Sequence, residues 1–236
     1  MDFALDARTE SLRQSLLTFM ADRIEPSAPV FHEQLGQLAD PWAWTEAPIL
    51  GQLQSEAQEL GLWNLFLPVE HADSPGLTNL QYAPLAEITG RCGHLAPAAL
   101  NCAAPDTGNM EVLSLFGTPE QKERWLEPLL KAEIRSAFAM TEPDVASSDA
   151  TNIETRIERD GDEYVLNGRK WWITGAMNPH AEIMIVMGKT DPSASRHRQQ
   201  SMVLVPRDTP GVEVVRGMEV FGYDDHEHGG HAELRF

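Results

Sequence analysis

The feature that most constrains this chain is a change in the spacing of its apolar residues near residue 136. Upstream, from Thr9 to Lys131, they recur at helical intervals, as in Leu12, Leu16, Phe19 and Met20. The spacing predicts helices near 8–24, 45–61, 78–92, 107–117 and 119–131. Thr118 before Pro119, with Gln121 at the third helical position, carries the signature of a capping box. Pro68 and the stretch Ala72 to Gly76 interrupt the pattern and read as loops. Downstream the period becomes two, with Ile153, Thr155 and Ile157 on one face of an extended segment. Asp160-Gly161 and Asn167-Gly168 are dipeptides that supply the positive φ angles of tight turns, so 151–172 is expected to be a three-strand meander. Further strands are expected at 181–189, 201–206, 212–216 and 231–236. A run of helices followed by short antiparallel strands is an α+β pattern, with an all-helical domain over 1–135 and a small barrel or sandwich over 136–236.

A length of 236 residues suits two such domains, each with its own core. The net charge of −18 argues against a nucleic-acid partner, whose phosphates are held mainly by Lys and Arg. No apolar run approaches the roughly 18 residues of a membrane-spanning helix, so no membrane insertion is expected. The start, MDFALDARTE, lacks the basic and apolar segments of a signal peptide, and a cytoplasmic location is the expectation. Cys92 and Cys102 are too few for a disulfide framework and lack metal or redox spacing; both are expected to be buried thiols.

Several clusters invite chemistry. Neither G-x-G-x-x-G nor G-x-x-x-x-G-K-[ST] occurs, which removes a Rossmann turn and a P-loop. His226, His228 and His231 suggest a metal site, against which stands their place in a polar loop with no upstream ligand beside it. Ser147-Ser148-Asp149 contains a hydroxyl and an acid, but no strand-turn-helix elbow surrounds it, and turn or capping duty is the plainer reading. Arg196-His197-Arg198 is a basic island that is either a solvated loop or a place to hold a phosphorylated ligand. Trp171-Trp172 puts adjacent indoles on a strand, where neighbours point to opposite faces, so one must leave the core. That ring either packs on the helical half or receives a flat ligand such as a flavin.

"FAMTEPDVASSD" at 138–149, followed by "NGRKWWITGA" at 167–176, resembles the acyl-CoA dehydrogenases. The resemblance extends over "FGTPEQKERWLEPLLKAEIRSAFAMTEPD" and "LVPRDTPGVEVVRGMEVFGYDDHEHGGH", and is strongest to the branch of acyl-CoA dehydrogenase family members ten and eleven. It implies an all-helical N-terminal domain, an antiparallel β-barrel middle domain and a C-terminal helical bundle, the last absent from the chain. It also implies FAD, whose pyrimidine edge would be met by the segment Phe138, Ala139, Met140 and Thr141. Ser147 and Ser148 fall where the family's serine contacts flavin phosphate or the acyl-CoA, one residue being inserted relative to the common Gly-x-Gly-Ser-Asp. Trp172 matches the tryptophan that lines the flavin, Ile173 follows it, and Thr174 matches the threonine whose hydroxyl approaches N5.

By the same resemblance the protein desaturates an acyl-CoA thioester in fatty-acid β-oxidation and passes electrons to electron-transfer flavoprotein or a similar acceptor, as a homo-oligomer. No catalytic residue is assigned within the chain, because the family's base lies on the helical bundle. Glu142, the tempting substitute, precedes Pro143 in the flavin loop. The isolated chain is therefore expected to be inactive. The alternative is a truncated, non-catalytic module that binds an acyl-CoA or a partner protein.

Overall fold

The structure is a computed structural model that describes residues 4–36, 42, 47–67, 69–72 and 74–236. Pro68, residue 73 of the second predicted loop and the predicted helix start at 45–46 lie outside the described residues. The chain divides into two compact units, Met1–Ala39 with Thr45–Ala132 and Asp40–Trp44 with Glu133–Phe236.

The first unit is helical. α1 (Ala7–Phe19) is capped by Asp6, whose carboxylate accepts the Arg8 and Thr9 amides. It does not stop at residue 24, where the apolar spacing ends. A π-turn over Met20–Ile24 leads into α2 (Glu25–Leu35), which contains Pro26 and Pro29. Proline has no N–H to give and its ring clashes with the carbonyl four residues back, and a widened turn relieves that conflict. The same device recurs where α7 (Pro119–Gln121) passes through Lys122–Leu126 into α8 (Glu127–Leu130), which carries Pro128. Between them lie α3 (Pro48–Glu59), α4 (Asn79–Thr89), the short α5 (Leu95–Ala99) and α6 (Asp106–Phe116). The capping box predicted at Thr118 is formed, and Thr78 with Gln81 forms a second one. The stripe of Leu16, Phe19, Met20 and Ile24 meets Leu53, Leu62, Leu85 and Leu100 in one core. Cys92 and Cys102 are partly rather than fully buried, and burial raises the Cys102 thiol to about 11. No helix among the described residues is long and apolar enough to cross a membrane.

The second unit is a pair of sheets. β5 (Ala181–Lys189) lies at the centre of the larger one, parallel to β1 (Arg135–Ala139) and antiparallel to β6 (Gln200–Pro206). Its sequence is a nearly unbroken apolar run, as befits a strand covered on both faces. β2 (Arg156–Asp160) and β3 (Glu163–Asn167) form the hairpin expected at Asp160-Gly161, where Gly161 has φ +62°. The expected meander ends there. β4 (Arg169–Thr174) leaves β3 and pairs with β8 (His231–Arg235), which also pairs with β7 (Glu213–Met218) to complete the smaller sheet. Gly168 is not a turn residue. It exchanges both main-chain hydrogen bonds with Phe236, and a side chain there would run into Thr155. Glycine is thus needed for a close crossing between sheets rather than for a positive φ. Ala137, Ala139, Ile173, Met184, Val186, Ala232 and Leu234 fill the core of this unit.

A candidate flavin-edge site between β1 and β4

Two motifs some thirty residues apart in sequence meet at the end of β1. The chain leaves β1 after Ala139, and the Thr141 hydroxyl donates to the Trp171 carbonyl at 2.6 Å while the Trp171 amide donates to the Thr141 carbonyl at 3.0 Å. A buried ion pair reinforces this clamp. Lys170, completely buried, donates from Nζ to the Met140 carbonyl at 2.7 Å and to Glu142 Oε1 at 2.8 Å. The Glu142 carboxylate also accepts the amides of Glu154 at 2.7 Å and Thr155 at 2.9 Å. Burial alone would push Glu142 up, but Lys170 and the two amides outweigh it and hold the group below the usual carboxylate range. With its oxygens committed in this way, Glu142 is a structural anion and is poorly placed to accept a substrate proton.

The hydroxyls and acid that follow divide into structural and available groups. Ser147 is buried, and its Oγ accepts the Glu142 amide at 2.7 Å and donates back to the Glu142 carbonyl at 3.2 Å, closing the turn after Pro143. Asp149 caps the 3₁₀ turn Ala150–Asn152 through the Thr151 amide and ion-pairs with Arg196 at 2.9 Å. Ser148 is exposed, and its hydroxyl has no hydrogen-bond partner among the described residues. The Thr141 amide likewise donates to no group among them.

β4 does not keep the alternation expected of it. Between Lys170 and Ile173 it carries one residue more than β8 does between Leu234 and Ala232, a β-bulge in which Trp172 takes φ +55°. Lys170 and Ile173 consequently both point inward, three apart. Trp172 is 38% exposed, its ring tilted against Trp171 and edge-on to His231. It is the outward indole that the Trp-Trp pair requires. Ala139 and Ile173 are core residues, so only their main chains can face a ligand. Thr174 Oγ1 lies 3.0 Å from His231 Nδ1.

The profile described as acyl-CoA dehydrogenase, N-terminal domain, matches residues 6–133, and the one described as acyl-CoA dehydrogenase, middle domain, matches 137–236. The chain belongs to the acyl-CoA dehydrogenase family. It is 54% identical over its whole length to "Probable acyl-CoA dehydrogenase FadE2" of Mycobacterium tuberculosis, of which it spans 56%. It is 50% identical over 99% of its length to acyl-CoA dehydrogenase family member 11 of Mus musculus, of which it spans 30%. A solved Mycobacterium abscessus protein assigned as an acyl-CoA dehydrogenase superposes with a TM-score of 0.90 at 48% identity, over 99% of this chain and 58% of that one. The chain thus covers about half of these two mycobacterial proteins and corresponds to the N-terminal and middle domains of the family.

Within this acyl-CoA dehydrogenase middle domain, the three histidines do not converge on one another. His226 Nδ1 meets Asp224 at 2.7 Å, His228 Nδ1 lies 3.7 Å from Asp225, and His231 Nε2 meets Asp225 at 2.9 Å. Each imidazole has a carboxylate beside it. The basic island is a 3₁₀ turn, Arg196–Arg198, tied to the loop after β1 through Asp149 and Thr151. Sequence reading missed Lys170 and Asp225, and it considered His231 only as a metal ligand. Lys170 had a signal in the Asn-Gly-x-Lys run, since a lysine that falls inward on a strand needs a buried acid.

Proposed function

We propose that the protein is an FAD-dependent acyl-CoA dehydrogenase whose flavin edge is formed by the end of β1 and the bulge of β4. The observation that carries this reading is the double clamp, Thr141 to Trp171 and Lys170 to Glu142, beside which the Thr141 amide and the Ser148 hydroxyl have no hydrogen-bond partner among the described residues and Trp172 is exposed. Those residues suit the cofactor: an N–H donor for the electron-rich pyrimidine edge, a hydroxyl for a phosphate oxygen, and an indole for a flat ring. When bound, FAD supplies the two-electron acceptor for a hydride from the β-carbon of an acyl-CoA.

The chain's own residues bind and orient. The Thr141 amide would hold negative charge at the pyrimidine edge, and the rigid Lys170–Glu142 pair keeps that amide in place. Trp172 would cover the ring from solvent, and Thr174 would present its hydroxyl at N5. Ser148 and the Arg196–Arg198 turn would meet phosphate groups. The proton on the α-carbon requires a positioned base; Glu142 is committed elsewhere, and the resemblance to the family would put that base on a C-terminal helical bundle. Transfer of electrons onward to electron-transfer flavoprotein or a similar acceptor, a place in fatty-acid β-oxidation and assembly as a homo-oligomer belong to the same reading.

The test compares the protein as its gene encodes it with the 236-residue chain, using acyl-CoAs of several lengths and an artificial electron acceptor. Turnover by the former alone supports the reading. Turnover by the latter that disappears in Glu142→Gln would make Glu142 the base. Acyl-CoA binding without turnover in either form would favour a binding module.

A further inference from the structure

The Thr174 hydroxyl is the end of a hydrogen-bonded chain. Thr174 Oγ1 lies 3.0 Å from His231 Nδ1, and His231 Nε2 lies 2.9 Å from Asp225 Oδ2. The chain is built rather than incidental. Asp225 sits in the left-handed region at φ +54°, and Gly229 and Gly230 follow at φ +77° and +61°. The Gly229 and Gly230 carbonyls accept the Met177 and Gly175 amides at 3.0 and 2.8 Å, which fixes the loop to the end of β4. A side chain at Gly230 would strike Trp42 and Met177, so this close approach requires glycine. His231 itself is only 15% exposed, with the Trp172 edge against it.

A carboxylate can only accept, so Asp225 places the proton of a neutral His231 on Nε2. Nδ1 is then a lone pair, and among the described residues the donor beside it is the Thr174 hydroxyl. Thr174 has a single proton, so its outward side offers lone pairs alone. Adding a proton to His231 reverses the bond: Nδ1–H donates to Oγ1 and the Thr174 proton turns outward. We propose that His231, oriented by Asp225, is a positioning residue that sets whether Thr174 accepts from or donates to the group docked against it. This rests on the flavin reading above. Thr174 with neutral His231 suits an N5 that bears hydrogen, and with the imidazolium it suits a bare N5. His231 thereby links its own proton to the flavin's redox state.

Among the described residues of the second unit, the charged and titratable groups around His231 are Asp225 in direct contact and His228 beyond it. Asp224 is engaged by His226, and β4 presents only Thr174 and Trp172. On β7 its register partner is Met218, while Arg216 is taken up by Glu233, which Arg169 also binds.

The proton balance is testable. Two-electron reduction of the flavin takes one proton from solvent, and His231 would return one to solvent as it changes from imidazolium to imidazole. Over the pH interval in which that exchange takes place, the net uptake falls towards zero. The midpoint potential of the FAD-loaded protein should therefore flatten against pH in that range, and the His231→Phe variant should follow a straight line. At the alkaline end His231→Phe should lower the preference for reduced flavin about tenfold, or about 30 mV for a two-electron couple. A second measurement needs no variant and no flavin: ring-nitrogen NMR shifts of the flavin-free protein should show the neutral His231 proton on Nε2. Asp225→Asn should mix the tautomers. FAD uptake with identical pH profiles in parent and His231→Phe, or a His231 proton on Nδ1, would overturn this inference and leave the flavin reading standing. A folded protein that takes up no FAD would overturn both.

Discussion

Replacing Lys170 with methionine removes one ammonium group and leaves a side chain of nearly the same length and shape. The structure sets the size of the effect. Lys170 is fully buried and Glu142 is 6% exposed, so the carboxylate loses its counter-charge where water cannot replace it. Removing one member of a buried pair costs about 3 to 5 kcal/mol. The amides of Glu154 and Thr155 still hold Glu142, which places the expected loss near the lower end, about 3 kcal/mol. Urea unfolding followed by fluorescence should show it as a midpoint lowered by about 1 M for a slope of about 3 kcal/mol/M. The double variant Lys170→Met with Glu142→Gln should lose less than the two single changes added together, by about 1 kcal/mol or more. The pH dependence should also change sign. In the parent, Glu142 is held below its ordinary value of 4.5, so its contribution is complete above that pH and is lost as pH falls through the depressed value. In Lys170→Met, burial dominates and raises Glu142, so the variant is relatively less unstable at pH 5 than at pH 7. A Lys170→Met protein within about 0.5 kcal/mol of the parent, with the parent's pH dependence, would refute the clamp as the element that positions the β1 loop.

Three further variants separate folding from binding. Ser147→Ala should cost about 1 to 2 kcal/mol of stability because it unpairs the buried Glu142 amide. Ser148→Ala should leave the unfolding midpoint unchanged and weaken binding of FAD or acyl-CoA in a titration. Trp172→Gly should be neutral or stabilising in urea, since glycine adopts φ +55° without the cost of about 1 kcal/mol that a side chain meets there. The same variant should hold FAD less tightly by equilibrium dialysis, and unchanged affinity would remove Trp172 from the site.

Much of this was legible in the sequence because it depends on local chemistry. The change of period near residue 136 marks the passage from helices to strands, the Thr118 capping box forms through neighbouring residues, and Asp160-Gly161 makes its hairpin. The misses are places where distant partners decide. The helix runs on past Ile24 because the π-turn Met20–Ile24 accommodates Pro26. Asn167-Gly168 looks like a hairpin turn, yet Phe236, far along the chain, claims the Gly168 main chain. The bulge at Trp172 cancels strict alternation on β4, and only the register against β8 reveals it. The same limit applies to the site. The paired motifs drew attention to Thr141, Trp172 and Thr174, whereas the Lys170–Glu142 pair and the His231–Asp225 chain arise from side chains that only the fold brings together.

The central claim is that the clamped end of β1 and the β4 bulge hold a flavin, and FAD uptake tests it most directly. The protein as its gene encodes it should emerge from desalting yellow, with flavin absorbance approaching one FAD per chain, and Trp172→Gly should carry markedly less under identical conditions. A well-folded, colourless protein that gains no flavin absorbance on incubation with excess FAD would contradict the account.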